Sequence, residues 1–305
     1  MSTIIGTPIP PLKPGSPEWL KTISASKIPA ILGISPWQSK FALWHLMAGN
    51  TEPWAGNKAT DRGTFLENAV FTWFEAQHPE LTVVGCGSYA HNVHGSWTAA
   101  PDGLAHVDDY DEDTGPVTYG VEIKTAQYSD GWGKAGTAEV PPYYLAQTAW
   151  QMIVTGVDRV YVPVLFGQPF EFREYVVEWD DIAGDVDTIK AEVHTFQKSL
   201  KDGTHPDIDG STATYNTIKE LHPEIDGETV EIPDELGWGF LDSKRFADEC
   251  QAETDRLKNL IAAEMGTAKK ATWNGQPLFT RQARGTGTPY LVAARTLPKI
   301  TEQAA

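Results

Sequence analysis

Three residues in the middle of this chain have the types and spacing for metal-assisted hydrolysis: Asp102, Glu122 and Lys124. Asp102 stands between Pro101 and Gly103, a combination that makes a turn. Val121-Glu122-Ile123-Lys124-Thr125 alternates apolar and charged side chains, so it reads as a strand with Glu122 and Lys124 on one face. The loop between them, residues 108–120, is short and rich in Asp and Gly. The simplest geometry is two adjacent strands that bring Asp102 beside the other two. Two carboxylates and an ammonium at a strand end suit a Mg²⁺ site that cleaves phosphodiesters, with Mn²⁺ as the expected substitute. Mg²⁺ keeps several waters and is held by one or two carboxylates together with phosphate oxygens. The lysine would orient or activate the attacking water and stabilise charge on the phosphate. With a cation close by, its pKa is expected below the usual lysine value.

An Asp in a turn and an E-x-K strand also meet by chance, so the elements that position them decide the reading. Residues 1–17 hold Pro8, Pro10, Pro11, Pro14 and Pro17 and read as an extended arm. Residues 24–32 read as a short helix ended by Gly33, with Ser26 near its start. Ser39 can cap a second helix, 41–48, that stops at Gly49. A third helix, 62–77, lines one broad side with Phe65, Leu66, Ala69, Val70, Trp73 and Phe74, and Glu67 falls off the strongest part of that stripe. From Leu81 the period changes to strands at 81–90, 96–100, 104–107 and 119–125. Pro141-Pro142 opens a helix over 143–155, and Gly167-Gln168-Pro169 joins strands 159–166 and 170–178 into a hairpin. Residues 180–200 read as one helix, and 201–237 as a polar connection with a short helix at 217–221. The last helix spans 238–265, followed by short strands around Thr272, Phe279 and Tyr290.

Helix, strands, helix, strands, helix describes an α/β fold with a central mixed sheet flanked by helices. The expected organisation is an arm at 1–17, a core at 18–200, a connecting segment at 201–237 and a helical and short-strand extension at 238–305. Glu67 would reach the site from the helix before the sheet, and Gln147 and Gln151 from the helix after it. These two glutamines lie at i and i+4 on an otherwise apolar helix, so they share one face. That face looks either to solvent or to the metal site and the phosphate backbone. Trp132 and Lys134 lie in the Gly-rich loop after the E-x-K strand, as candidates for stacking on a frayed base and for touching phosphate.

Composition narrows the classes. The chain has 305 residues and a formal net charge of −17. Nucleic-acid binders are usually basic, so a DNA-acting protein of this charge must concentrate its Lys and Arg in one channel. No apolar run approaches the roughly 20 residues of a membrane span, and the Pro-rich start is not a secretory signal, so a cytoplasmic location is expected. Cys86 and Cys250 lie far apart and match no metal spacing. His91, His94 and His106 accompany no zinc motif, and the acidic run 108–113 lacks the central Gly and terminal Glu of a Ca²⁺ loop.

Five segments in order now carry a resemblance: SASKIPAILG (24–33), RGTFLE (62–67), AAPDGL (99–104), VEIKT (121–125) and YYLAQTAWQMIVTG (143–156). In this order and spacing the chain resembles the YqaJ-like viral recombinase family, phage exonucleases similar to lambda exonuclease on the PD-(D/E)xK, restriction-endonuclease-like fold. The resemblance implies that Asp102, Glu122 and the Ile123 carbonyl are metal ligands, with Glu67 joining directly or through water. It implies that Lys124 assists the nucleophilic water and Gln147 touches the DNA end or that water. Ser26 would help to bind a terminal 5′-phosphate. Many relatives carry an Arg before the S-x-S segment; here Lys21 would take its place, as a point charge rather than a bidentate fork. Ala100 stands where lambda-type enzymes have a hydroxyl.

The reading is a Mg²⁺-dependent exonuclease acting 5′ to 3′ on double-stranded DNA ends to make single-stranded tails for recombination. By resemblance its partner is a single-strand annealing protein and its assembly a homo-oligomer, a trimeric ring. The alternatives are an endonuclease of the same fold and a catalytically idle DNA- or protein-binding module.

Overall fold

The computed structural model describes residues 6–53, 56, 58–107 and 117–298. The acidic run 108–113 lies outside them. The chain forms two compact units, one ending at Glu224 and one starting at Ile225.

The first unit runs β1 (Thr7–Ile9), α1 (Pro17–Leu20), β2 (Ile23–Ser24), a 3-10 turn over Ala25–Lys27, α2 (Ile28–Ile31), α3 (Lys40–Met47) and α4 (Lys58–Gln77). It continues with β3 (Leu81–Gly85), β4 (Ser88–Ala90), β5 (Trp97–Ala99), β6 (Gly103–Val107), β7 (Thr118–Val121), β8 (Lys124–Tyr128) and α5 (Pro142–Thr155). The hairpin β9 (Arg159–Gln168) and β10 (Phe170–Glu178) follows, then α6 (Trp179–Ile182), α7 (Val186–Asp202) and α8 (Thr212–Leu221).

The larger sheet has the order β10-β9-β7-β6-β3, with β8 also paired to β9. It is mixed: β7 and β8 run parallel to β9, and the other neighbours are antiparallel. Gly120 faces Val160 and Lys124 faces Val164, so the register is the same on both sides of the gap between β7 and β8. They are one strand, interrupted at Glu122 and Ile123. The smaller sheet has the order β1-β4-β5-β2.

Four elements depart from the sequence reading. Residues 81–90 are two strands in different sheets, because Gly85-Cys86-Gly87 lets the chain turn from β3 into β4. The Pro-rich start is not simply an arm, since Thr7–Ile9 pairs antiparallel with β4. The helix expected at 180–200 is split into α6 and α7 around Ala183-Gly184-Asp185. The short helix expected at 217–221 starts earlier, as α8, whose Thr214 hydroxyl donates to Ser39 Oγ at 2.7 Å and ties it to the cap of α3.

The sheet is covered on both faces. Alternate residues of β9 point opposite ways. Val160, Val162, Val164 and Phe166 join Ala146, Ala149, Trp150 and Ile153 of α5 in one apolar layer, with Ile28, Ile31 and Val193. Tyr161 and Leu165 join Ala105, Val121, Ile123 and the α4 residues Val70 and Phe74 in the other. Trp150 is fully buried, and its indole N–H is shared between the carbonyls of Ile23 and Thr98, each at 3.2 Å. This pins α5 to β2 and β5. α5 ends at Gly156, whose φ of 82° supplies the left-handed cap.

The second unit consists of α9 (Asp234–Met265) and the antiparallel strands β11 (Lys270–Trp273), β12 (Gln276–Gln282) and β13 (Tyr290–Ala293), in the order β11-β12-β13. Among the described residues no helix is long and apolar enough to cross a membrane.

Candidate active site

Gly103 pairs with Val121 across β6 and β7, and one further step of that antiparallel register sets Asp102 opposite Glu122. Here a side chain replaces the backbone ladder. The Glu122 N–H still donates to the Tyr161 carbonyl at 2.9 Å, while the Ile123 N–H donates to Asp102 Oδ2 at 2.7 Å. Ile123 packs into the α4 layer, and Glu122 and Lys124 look the other way, toward α5.

Glu122 is 3% exposed, and both of its carboxylate oxygens are engaged. Oε1 accepts from Lys124 Nζ and from Gln147 Nε2, the latter at 2.5 Å. Oε2 accepts from Gln151 Nε2 at 2.5 Å. Such donors are what make a buried carboxylate tolerable, because an unpaired one loses its hydration without return. The glutamine face of α5 therefore looks to the acid site. Gln147 sits at the site as the sequence reading placed it. Gln151 does not sit on DNA: at 1% exposure it lies behind Glu122 and orients it. Tyr144, three residues before Gln147, places its ring 5.0 Å from Lys124 Nζ, a cation–π contact.

The charges of the site are unbalanced toward the negative. Burial, then the charge of Glu122, push the Asp102 carboxyl up to about 8, although Lys124 and the Ile123 N–H oppose the shift. Burial tends to lower Lys124, but Glu122 and Asp102 outweigh it and hold the ammonium above the usual lysine value. The depression expected of Lys124 belongs to the site with a bound cation; the protein's own groups here are anionic and act in the opposite direction.

Glu67 is exposed on α4, and its charge adds to the upward shift of Asp102. Among the described residues no three His, Cys, Asp or Glu side chains gather as a metal-binding group. The structure therefore does not bring Glu67 in as a third direct ligand. The candidate donors that the structure places here are the carboxylates of Asp102 and Glu122, both hard oxygens. That set fits Mg²⁺, which takes one or two carboxylates and completes its shell with water and phosphate. Two acids sharing one ammonium also favour a further positive charge between them.

Ser26 is exposed, with its hydroxyl 3.1 Å from that of Ser24, and its turn packs against α5. Lys21 is exposed at the end of α1. The adjacent Lys27 faces inward: it is 1% exposed, donates to the carbonyls of Trp19 and Thr22 at 2.6 Å each, and lies over the Trp19 ring. Burial pushes its ammonium down to about 7. It clamps the segment that presents Lys21 and Ser26. Lys134 is exposed, and its backbone N–H donates to Glu139 Oε2 at 2.7 Å.

Trp132 is not free to stack on a base. Its ring is half-buried against Tyr144, Phe166 and Tyr175, at centroid distances of 5.4, 5.5 and 5.0 Å. Two residues of the site escape the sequence reading. Tyr144 could have been found, since it shares the helical face of Gln147. Cys86 has no local signal: its thiol donates to the Pro101 carbonyl at 3.0 Å. Burial, then Asp102 and Glu122, push that thiol up to about 12, which makes it a poor nucleophile.

The chain is similar to known proteins over the part that holds this site. Residues 18–158 match the family model of the YqaJ-like viral recombinase domain. Over 279 residues the chain is 25% identical to the uncharacterized protein YqaJ of Bacillus subtilis (strain 168), covering 83% of this chain and 79% of that one. The crystal structure of LHK-Exo, an alkaline exonuclease from Laribacter hongkongensis, matches with a TM-score of 0.46 at 21% identity, over 62% of this chain and 94% of that one. The structure of LHK-Exo in complex with dAMP matches with a TM-score of 0.45 at 20% identity, over 61% and 91%. Asp102, Glu122, Lys124, Gln147 and Gln151 all fall within residues 18–158, the segment that is similar to the YqaJ-like viral recombinase domain.

Proposed function

We propose that this chain is a metal-dependent deoxyribonuclease that degrades linear double-stranded DNA from its ends, 5′ to 3′, and leaves single-stranded tails for recombination. The observation that carries the reading is the convergence of Asp102, Glu122 and Lys124 at one break in a strand, with Glu122 clamped from behind by two glutamines. An idle scaffold has no need to keep two acids and an ammonium together in a half-buried site.

Asp102, Glu122 and the Ile123 carbonyl would hold Mg²⁺, with Mn²⁺ able to substitute. When bound, the ion neutralises charge on the phosphate and lowers the pKa of an attacking water. Gln147 and Gln151 keep the Glu122 carboxylate in one orientation. Lys124, fixed between Glu122 and the Tyr144 ring, directs its ammonium at the attacking water or at a phosphate oxygen. Ser26 and Lys21 would receive the terminal 5′-phosphate, and Lys134 a phosphate of the backbone. In this reading a ring of three chains conceals a basic channel behind the acidic exterior, and an annealing protein takes up the exposed strand.

The test is degradation of one linear duplex in Mg²⁺, labelled at the 5′ or the 3′ end, with and without 5′-phosphate, beside the same DNA as a closed circle. Loss from the 5′ ends with the circle spared is the expected result. Cutting of the circle would assign an endonuclease of the same fold. No cleavage of either DNA in Mg²⁺ or Mn²⁺ would overturn the enzymatic reading.

A further inference from the structure

Between α2 and α3 the loop Ser35-Pro36-Trp37-Gln38 holds a large aromatic side chain in solvent: the Trp37 indole is 65% exposed. The loop that carries it is braced. The Ser35 hydroxyl accepts from the N–H groups of Trp37 and Gln38, both at 3.2 Å, and Pro36 fixes its own φ. The indole packs against Tyr143, with ring centroids 4.9 Å apart and planes near perpendicular, and against Tyr144, with centroids 6.1 Å apart. The two tyrosine rings are themselves 4.5 Å apart, and the second lies 5.0 Å from Lys124 Nζ. Trp132 supports Tyr144 from within. An unbroken row of aromatic rings thus leads from solvent to the ammonium of the site, and its outermost member is the one with most of its surface uncovered.

We infer that Trp37 is a substrate contact, stacking its indole on a nucleobase of the strand whose phosphate enters the Lys124 site. The assignment rests on the deoxyribonuclease reading above and adds to it the group that positions the strand. A base is the occupant that the surroundings favour. The neighbouring chemistry is a phosphate site, and each nucleotide carries a flat π-face alongside its phosphate. Stacking on an aromatic ring accepts any base, which suits an enzyme that must pass every sequence. The braced loop keeps the ordering of the ring from opposing binding.

The experiment uses the full chain with linear duplex DNA in Mg²⁺ and measures KM and kcat for the wild type, Trp37→Ala and Trp37→Phe. The same substrates are prepared with abasic nucleotides at the end of the degraded strand. Base stacking on an aromatic ring predicts that Trp37→Ala raises KM by about 5- to 100-fold, and that Trp37→Phe keeps most of the wild-type affinity. The wild type loses affinity on the abasic end to a similar extent, whereas Trp37→Ala no longer distinguishes abasic from intact ends. The exposed position of Trp37 predicts an unchanged thermal midpoint in both variants. Wild-type cleavage with an unchanged KM in Trp37→Ala, or with abasic discrimination intact in that variant, overturns the Trp37 assignment alone. Absence of wild-type cleavage overturns the deoxyribonuclease reading, and the stacking assignment with it.

Discussion

Asp102 Oδ2 accepts the Ile123 N–H at 2.7 Å, so the first acid of the site is bonded to the backbone between the other two groups, Glu122 and Lys124. One strand therefore sets all three positions. Asp102→Asn keeps an oxygen for the Ile123 N–H and removes the charge. The carboxyl is pushed up to about 8 in the folded chain, against roughly 3.9 when unfolded. The folded state binds that proton more tightly, so its contribution to stability is present at low pH and is lost as pH rises through about 8. In EDTA the wild type should lose stability relative to Asp102→Asn between pH 5 and pH 9, and Mg²⁺ should restore the wild type alone. Cleavage by the variant should fall by at least about 100-fold. Thermal unfolding across that pH range checks the first part; an Asn variant no more stable than wild type at pH 9 would show that the buried charge is not a burden.

Gln151 is the sole hydrogen-bond donor seen on Glu122 Oε2 among the described residues, and both side chains are buried. Gln151→Leu should destabilise the protein by about 1–3 kcal/mol, because it strands a carboxylate oxygen out of water. The same substitution in a Glu122→Leu background should be nearly neutral, because no carboxylate oxygen is then left for the glutamine to satisfy. Denaturant unfolding of the four proteins gives the coupling energy; additive effects would mean that Gln151 contributes packing rather than a bond to Glu122. Cleavage should drop in Gln151→Leu with KM for DNA little changed, as its burial prevents contact with substrate.

The parts of this site that could be read in the sequence are those set by local periods. Glu122 and Lys124 share a face because strands alternate, and Asp102 meets them because β6 and β7 are antiparallel neighbours. The i, i+4 spacing put Gln147 and Gln151 on one face, but their direction stayed open. Their partner lies on a strand far away in sequence, and only packing chooses between it and solvent. Trp132 differs from the sequence expectation for the same reason: its loop is Gly-rich, yet its ring partners come from α5, β9 and β10. Cys86 sits beside Pro101 because the chain changes sheets between two glycines, and no hydrophobic pattern records such a change.

Trp132 supports the site from beneath, so its replacement should act on stability before it acts on DNA. Trp132→Ala should cost about 2–4 kcal/mol by opening a void between Tyr144, Phe166 and Tyr175. Trp132→Phe, which refills part of that space, should recover much of the loss and bind DNA with the wild-type affinity. Denaturant midpoints and a DNA titration separate the two effects. A Phe variant as stable as wild type but weaker for DNA would return Trp132 to the substrate surface.

His78 closes α4 onto the sheet. Its Nδ1 lies 2.9 Å from Glu80 Oε1 and its Nε2 2.8 Å from Glu174 Oε2 on β10. Burial tends to lower the ring's pKa, but the hydrogen bonds and charges of the two carboxylates outweigh it and raise the value above 6.5. The folded protein thus holds this proton more tightly than the unfolded chain does. The stabilisation is complete below about pH 6.5 and disappears as pH rises through the raised folded value. Wild type minus His78→Gln should therefore show its largest stability difference near pH 5.5 and a smaller one near pH 8.5, measured by urea unfolding at each pH. Taking the difference removes the pH dependence of Asp102, which is common to both proteins. A difference that grew with pH would mean that the ring is neutral when folded, and that contacts with Phe74 and Tyr161, not charge, fasten α4 to the sheet.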